Sequence, residues 1–223
     1  SADKKQVLIV KGGPGTGKTT TLNAIITILE ESGKTVSIAA PTGRAAKRIS
    51  EVTGRDAKTI HRLLEVDRSD SNQLKFVHDG DNPLDSDAVV LDEMSMVDTL
   101  LFESLLRALK PNCKLILVGD SDQLPSVGAG NILRDLIDCG CIPTVQLKEI
   151  FRQAAESLIV TNAHKIVAGN LPDLMVKNND FFFLPCGNYS AAQELVVDLV
   201  ARRLPNSYGF SPAENIQVLC PSR

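Results

Sequence analysis

A glycine-rich octapeptide near the start of the chain constrains the fold more than any other segment. Residues 12–19 read Gly-Gly-Pro-Gly-Thr-Gly-Lys-Thr and directly follow the apolar run Val7–Val10. Glycines let backbone N–H groups curl around a polyphosphate, and the N-terminus of a following helix adds its positive dipole. Because strand, loop and helix occur in the required order, the segment is interpreted as a phosphate-binding loop.

The helix after this loop is predicted to run from Thr19 to Ser32 and to end at Gly33, a residue suited to a C-terminal cap. Its apolar residues recur at helical spacing, so one face can pack on a sheet. Lys18 is expected to reach the β- and γ-phosphates, and the Thr19 hydroxyl is expected to bind Mg²⁺. The candidate nucleotide-binding residues are Gly12, Gly13, Pro14, Gly15, Thr16, Gly17, Lys18, Thr19 and Thr20.

Further apolar runs indicate an α/β fold. A short run at 35–40 and continuous runs at 88–91 and 114–119 are typical of buried parallel strands, and a helix is predicted between the last two, at 97–109. Strands that alternate with helices predict a mainly parallel sheet covered on both faces, a three-layer arrangement. Ligands of such sheets bind at the carboxyl ends of the strands, where the loop at 12–19 also lies.

An acidic pair closes the strand at 88–91 and resembles the Walker B element. Asp92 is expected to hold Mg²⁺ and Glu93 to orient or deprotonate the attacking water. The adjacent acid favours hydrolysis over nucleotide storage. The guanine motif N-K-x-D of GTPases is not found in the sequence, whereas a small-molecule kinase stays open on these two motifs alone.

The amino-acid composition excludes few classes of protein. The 223 residues carry a formal net charge of −3, so any binding of nucleic acid must rest on a local surface. No apolar stretch is long enough for a membrane span, and five scattered cysteines favour reduced thiols in a cytoplasmic protein over a zinc site. A start without Met and a final segment at 215–223, expected to be a new strand, predict an excised fragment.

Several ordered motifs then narrow the family. They are Pro41-Thr-Gly-Arg-Ala-Ala, Thr59-Ile-His-Arg-Leu-Leu, Leu91-Asp-Glu-Met-Ser-Met-Val-Asp, Gly119-Asp-Ser-Asp-Gln-Leu-Pro and Leu147-Lys-Glu-Ile-Phe-Arg-Gln. Together with the phosphate-binding loop, this series resembles superfamily 1 DNA helicases, and most of all their RecD-like branch (exodeoxyribonuclease V alpha subunits), which moves 5′ to 3′ on single-stranded DNA.

The resemblance implies a RecA-like P-loop NTPase domain at 1–178 that uses ATP and Mg²⁺, followed at 179–223 by a linker and the start of a second motor domain. The polar insert at 65–87 corresponds by position to a hairpin that splits duplex DNA in family members. Phe181–Phe183 could be mistaken for a base-stacking platform, but an apolar core strand over 180–184 is favoured.

The resemblance also assigns roles to single residues. Gln123 matches a sensor of the γ-phosphate, and Arg152 matches an arginine that contacts the same phosphate. The candidate DNA contacts are Pro41, Thr42, Arg44, Thr59 and His61. Simpler interpretations stay open for three of them: Thr42 as a helix cap, Arg44 as a solvated helix residue and His61 as a packed side chain.

Two family features are not found in the sequence: a glutamine-containing helix that grips adenine, and the arginine that completes the ATP site from the second domain. We therefore expect weak or no ATPase activity from this chain alone. The function predicted is that of a monomeric ATP-dependent helicase motor for recombination or repair. The alternatives are an ATP-switched DNA-binding module and a subunit of a nuclease complex without useful activity of its own. The expected partners are single-stranded DNA and other recombination or nuclease subunits.

Overall fold

The computed structural model describes residues 6–67, 75–176 and 180–220, and of Arg152 and Gln153 it describes the backbone only. Within these ranges the chain divides into two compact units, residues 1–173 and 174–223. The sequence-based prediction placed the domain boundary at 178/179.

The first unit is built on a six-stranded parallel sheet. The strands are β1 (Val7–Gly12), β2 (Val36–Ala40), β3 (Ala57–Thr59), β6 (Ala88–Leu91), β7 (Lys114–Gly119) and β8 (Thr144–Leu147), and their spatial order is β3-β2-β6-β7-β1-β8. The register is set by pairs such as Val10 with Val118 and Val90 with Ile116. The predicted α/β class with a mainly parallel sheet is confirmed.

Helices cover both faces of this sheet. The helices of the first unit are α1 (Lys18–Glu31), α2 (Gly43–Thr53), α3 (Ile60–Leu64), α4 (Thr99–Arg107), α5 (Ile132–Asp138), α6 (Arg152–Ala155) and α7 (Leu158–Val167). One core cluster joins alternate strand residues to α1 and α2, for example Val10 to Leu22 and Ile26. The other joins the intervening residues to α3, α4 and α5, for example Leu117 to Leu105.

Adjacent residues of the buried strands therefore point to opposite faces, as a period of two requires. Ile9 belongs to one cluster and Val10 to the other, and both are almost fully buried. This explains why the strands read as continuous apolar runs rather than alternating ones. It also confirms the predicted three-layer arrangement.

The polar insert predicted at 65–87 contains a small antiparallel hairpin. Strands β4 (Val66–Asp67) and β5 (Lys75–Phe76) pair with each other, and the Val77 N–H donates to the Glu65 carbonyl at 2.8 Å. Residues 68–74 lie outside the described part of the chain. Beyond the hairpin, the insert returns to the main core through Leu84, which is buried.

The second unit contains a nearly continuous helical stretch. It comprises α8 (Tyr189–Asp198), a π-helical turn (Leu199–Arg203) and α9 (Leu204–Tyr208). The Asn188 side chain caps α8 by accepting from the Ala191 N–H at 2.9 Å, and Tyr208 stacks on Phe210 with ring centroids 5.3 Å apart. The helix expected near 190–204 is confirmed.

Two strands expected in the second unit are wrong. Residues 180–184 and 215–220 have no strand conformation, and Phe182 and Phe183 are about half exposed, at 54% and 51%. A strand needs a neighbour to receive its backbone hydrogen bonds, and no described residue pairs with either segment. The predicted core strand over Phe181–Phe183 is therefore not formed.

No helix in the described ranges is long and apolar enough to cross a bilayer.

Candidate functional site

The carboxyl ends of five parallel strands bring the sequence motifs to one edge of the sheet. The phosphate-binding loop follows β1, Pro41 follows β2, Thr59 ends β3, Asp92 follows β6 and Asp120 follows β7. This convergence is what the predicted topology required, since parallel strands all end at the same edge.

A cavity of about 510 Å³ lies at this edge and gathers most of the predicted nucleotide site. The residues predicted for catalysis and nucleotide binding that line it are Gly13, Pro14, Gly15, Thr16, Gly17, Lys18, Thr19, Thr20, Asp92, Glu93 and Gln123. Gly12 instead borders a smaller cavity of about 190 Å³ beside Asp120. The side chain of Arg152 lies outside the described part, although its neighbours Phe151 and Ala154 line the larger cavity.

The loop itself has the conformation that its glycines predict. Gly15 and Gly17 have φ angles of 75° and 79°, the left-handed region in which a side chain is strained. Gly17 is also the residue that precedes α1, so the loop passes directly into the helix N-terminus. The Lys18 ammonium donates to the carbonyl oxygens of Gly12 at 2.7 Å and Gly13 at 3.0 Å, which holds it along the loop.

Phe151, Ala154 and His164 support the loop, a role that the sequence-based prediction did not assign to them. The Phe151 N–H donates to the Gly15 carbonyl at 3.1 Å, and the His164 ring Nε2 is 3.0 Å from the Pro14 carbonyl. A Cβ at Gly15 would lie 2.6 Å from the Ala154 Cβ, and one at Gly17 would collide with the Phe151 ring. Since these contacts are tertiary, nothing local in the sequence could have identified them.

The acidic pair has two distinct environments. Asp92 is 8% exposed, and its Oδ1 accepts from the Glu93 N–H at 2.9 Å. Burial raises the pKa of Asp92, while the hydrogen bond from Glu93 and the nearby charges of Lys18 and Arg48 act to lower it. Glu93 is half-buried and has a φ of 53°, uncommon for a residue with a side chain.

Gln123 is connected to the acidic pair through a residue that the prediction left without a role. Ser95 lies in a short 3-10 helix (Met94–Met96) directly after Glu93, is buried, and donates to the Gln123 Oε1 at 3.4 Å. The predicted γ-phosphate sensor is thus linked to the turn that carries Asp92 and Glu93.

The residues predicted to contact DNA lie outside the large cavity, at the ends of neighbouring strands. Thr42 caps α2 by accepting from the Ala45 N–H, and Thr59 caps α3 by accepting from the Arg62 N–H, both at 3.2 Å. Ala40 pairs with Thr59 across β2 and β3, which places the two caps on the same sheet edge. His61 contacts the Phe76 ring of the hairpin, with centroids 5.9 Å apart.

The simpler interpretations of Thr42 and His61 are therefore observed, and they leave the DNA role open rather than excluding it. A hydroxyl that accepts from a backbone N–H keeps its own proton to donate. His61 is half-buried against Phe76 but not enclosed.

Comparison with known proteins identifies the family to which this chain is related. The sequence profile of the family described as AAA domain matches residues 1–129. The chain is 42% identical over 167 residues to the ATP-dependent RecD2 DNA helicase of Deinococcus radiodurans, which covers 75% of this chain and 22% of that protein. It is 41% identical over 153 residues to the RecBCD enzyme subunit RecD of Mycolicibacterium smegmatis, which covers 58% and 27%.

Among solved structures, a crystal structure of Pif1 helicase from Bacteroides superposes with a TM-score of 0.52 at 24% identity, covering 88% of this chain and 53% of that one. At this identity the likeness concerns the fold. The chain spans about a quarter of the length of the curated relatives it matches. The resemblance to RecD-like helicases that the ordered motifs indicated is confirmed.

Proposed function

The chain belongs to the AAA domain family, and from this premise we propose that it is the motor unit of a RecD-like DNA helicase. In this proposal it binds and hydrolyses Mg-ATP to drive movement along single-stranded DNA in recombination or repair. The observation that carries the proposal is that the phosphate-binding loop, the acidic pair and Gln123 line one and the same cavity. The names of the RecD2 and RecD relatives support it.

Phosphate binding falls to the loop and Lys18. The loop offers backbone N–H groups at the start of α1, and the ammonium is already held over the loop by two carbonyl oxygens. A polyphosphate would replace those carbonyls as the partner of the ammonium with charge-assisted bonds, which are stronger than neutral ones.

The residues present fit a magnesium ion bound together with the nucleotide. Thr19 and Asp92 line the same cavity, and the second oxygen of the buried Asp92 carboxylate has no hydrogen bond from the described residues. No group of three or more His, Cys, Asp or Glu side chains that could hold a metal occurs in the described ranges. Magnesium bound with nucleotides uses few protein ligands, so one hydroxyl and one carboxylate are sufficient. When bound, the ion neutralises charge on the β- and γ-phosphates.

Water activation falls to Glu93. Glu93 has a left-handed backbone, lines the cavity and is less buried than Asp92. Gln123, which accepts a hydrogen bond from Ser95, is suited to sense the terminal phosphate, and the resemblance adds Arg152 to that role.

Single-stranded DNA is proposed to contact a surface at the carboxyl ends of the strands, which we call the DNA edge. It carries Pro41, Thr42, Arg44, Thr59 and His61. Hydroxyls and guanidinium groups bind phosphates without regard to base sequence, as a motor that moves along DNA requires. The hairpin at β4 and β5 lies beside this edge through the contact of Phe76 with His61, which supports its proposed role in strand separation. The name of the Mycolicibacterium relative supports a further proposal, that the full protein works with other recombination or nuclease subunits.

The test of the nucleotide site is Lys18→Ala with Lys47→Ala as the matched control. Lys47 is exposed and, among the described residues, its one ion pair is with Glu51 at 3.8 Å. We expect Lys18→Ala to lower the affinity for a fluorescent ATP analogue by at least about tenfold, the loss of one charge-assisted bond. The melting temperature should not change. Equal affinity in Lys18→Ala and the parent chain would reject the site.

The test of the DNA edge is the salt dependence of binding to single-stranded oligonucleotides. Arg44→Ala should flatten the slope of log K against log salt by about 0.7, the value for one lost phosphate contact. Thr42→Ala should weaken binding with little change in slope. A slope that Arg44→Ala leaves unchanged would make Arg44 a solvated helix residue.

A further inference from the structure

Helix α2 turns one side toward the nucleotide cavity. Ala45, Arg48 and Ile49 line the cavity, and Ile49 is also buried in the core. Residues three and four apart share a helix face, so these three form one stripe. Lys47 lies off that stripe, is largely exposed and pairs with Glu51. Arg48 is thus the cation that α2 presents to the cavity.

The guanidinium of Arg48 has no ion-pair partner in the described part of the chain. The guanidinium makes no hydrogen bond or ion pair with any described residue, whereas the Arg55 guanidinium pairs with Glu30 at 2.7 Å. Arg48 lines the same cavity as Asp92 and Lys18.

The surroundings of Arg48 match a phosphate rather than a carboxylate partner. Arg48 lines the same cavity as Lys18, the residue proposed to bind the β- and γ-phosphates, so it borders the space in which the terminal phosphates of a nucleotide would lie. A guanidinium has five donors in a fork that matches phosphate oxygens. Lys18 approaches from the loop, whereas Arg48 approaches from a different helix.

We propose that Arg48 is a second cationic ligand of the terminal phosphate of a bound nucleoside triphosphate, and that it communicates the presence of this phosphate to the DNA edge. The inference rests on the proposed nucleotide site and adds to it a residue and a route. Arg48 lies six residues after Thr42, which caps the same helix. At a rise of 1.5 Å per residue this is about 9 Å along one short helix.

The helix provides a direct mechanical connection. Thr42 and Arg44 lie at its start, Arg48 faces the cavity in its middle, and Ala46 and Ile49 anchor it in the core. A phosphate that draws Arg48 moves the first turn of α2 with it. By linkage, a nucleotide that changes DNA affinity through Arg48 must have its own affinity changed by DNA to the same extent.

The first experiment measures the affinity of the chain for a non-hydrolysable ATP analogue and for ADP, both with Mg²⁺. Arg48→Ala should weaken the triphosphate by about 10- to 100-fold, the range for a lost charge-assisted hydrogen bond, and ADP by no more than about threefold. Arg48→Lys should recover part of the loss, and Lys47→Ala should change neither. Melting curves verify that each variant is folded.

The second experiment measures single-stranded DNA affinity with and without saturating ATP analogue. In the parent chain and Lys47→Ala, the nucleotide should change DNA affinity, and Arg48→Ala should abolish that change even when saturated. A parent chain whose DNA affinity ignores the nucleotide would refute the coupling.

Equal losses for the triphosphate and ADP, or no loss in Arg48→Ala, would reduce Arg48 to a counter-charge for Asp92. These outcomes are separable from failure of the nucleotide site itself. If Lys18→Ala loses nucleotide and Arg48→Ala does not, only the role of Arg48 is wrong. If Lys18→Ala keeps nucleotide, the site is wrong as well.

Discussion

Both units of the chain are rich in apolar residues, but they differ in how many of these residues are buried. Residues 1–173 contain two core clusters on either side of a parallel sheet, with side chains such as Ile9 and Leu117 fully buried. In the unit from 174 onward, none of the described residues is buried, and large apolar side chains such as Val197 and Leu219 are exposed at 65% and 83%.

The difference shows which structures a sequence segment can form without neighbours. A helix satisfies its backbone within itself, so α8 and α9 form where no core is present. A strand requires a partner for every ladder hydrogen bond, and the second unit has none among its described residues. Stability and chemistry should therefore both reside in the first unit, and the following predictions test that assignment.

The largest effect is expected from Glu93→Gln, which removes the proposed base. In the full-length protein, ATP hydrolysis should fall by about 10² to 10⁴-fold, equivalent to about 3 to 5 kcal/mol of activation free energy. Nucleotide affinity and the melting temperature should stay as in the parent chain. A greater loss in Asp92→Asn than in Glu93→Gln, with the latter near normal, would exchange the assigned roles.

The second-largest effect is expected from shortening a buried side chain in the first unit, compared with the same change at an exposed site in the second. Leu117→Ala removes a fully buried side chain from β7 and should lower the free energy of unfolding by about 2 to 5 kcal/mol. Val197→Ala in α8 is the matched aliphatic truncation at an exposed site and should change it by less than about 0.5 kcal/mol. Denaturant unfolding measures both, and comparable losses would mean that the second unit contributes to the core.

Removing a helix cap from each unit should have a smaller effect on stability, and the two units should differ in whether global or only local stability is lost. Asp98 caps α4 and Asn188 caps α8, each accepting an N–H at 2.9 Å, so replacing either by Ala should cost about 1 kcal/mol. Asp98→Ala should appear in global unfolding. Asn188→Ala should appear only as faster amide hydrogen exchange within α8, because local opening there does not expose a core. A fall in global stability from Asn188→Ala would break the distinction.

The smallest effect is a dependence of first-unit stability on pH. Hydrogen bonds from the Thr35 backbone and from Lys110 lower the pKa of Asp87 from 3.8 to about 2. A carboxyl whose pKa is lower in the folded state stabilises the fold above its unfolded pKa, and this contribution is lost as the pH falls from about 4 toward 2. The melting temperatures of the parent chain and Asp87→Asn should therefore converge over that interval, and a constant difference would contradict the assignment.

The sequence was a good guide where its signal was local or periodic. The phosphate-binding loop, helix α1 and the runs that form β2, β6 and β7 follow from spacing and apolar continuity. Two edge strands, β3 and β8, were not anticipated. Both are short and mostly unburied, so they carry no apolar run to mark them.

The site was predictable in its motifs and not in its surroundings. Lys18, Asp92 and Gln123 could be placed together because parallel strands end at one edge. Arg48 could have been found by comparing its helical position with Ala45 and Ile49, which share its face. Ser95 and His164 could not, because their contacts depend on distances that only the folded chain defines.

The support behind the phosphate-binding loop has a consequence for anyone who would transplant it. Gly15 and Gly17 need their left-handed backbone for the turn, and they also leave the space that Ala154 and Phe151 occupy. The octapeptide is thus one half of a matched pair whose other half lies more than 130 positions later in the sequence. A loop moved alone into a foreign scaffold would arrive without its backing, so a portable version must include residues 150–164 as well.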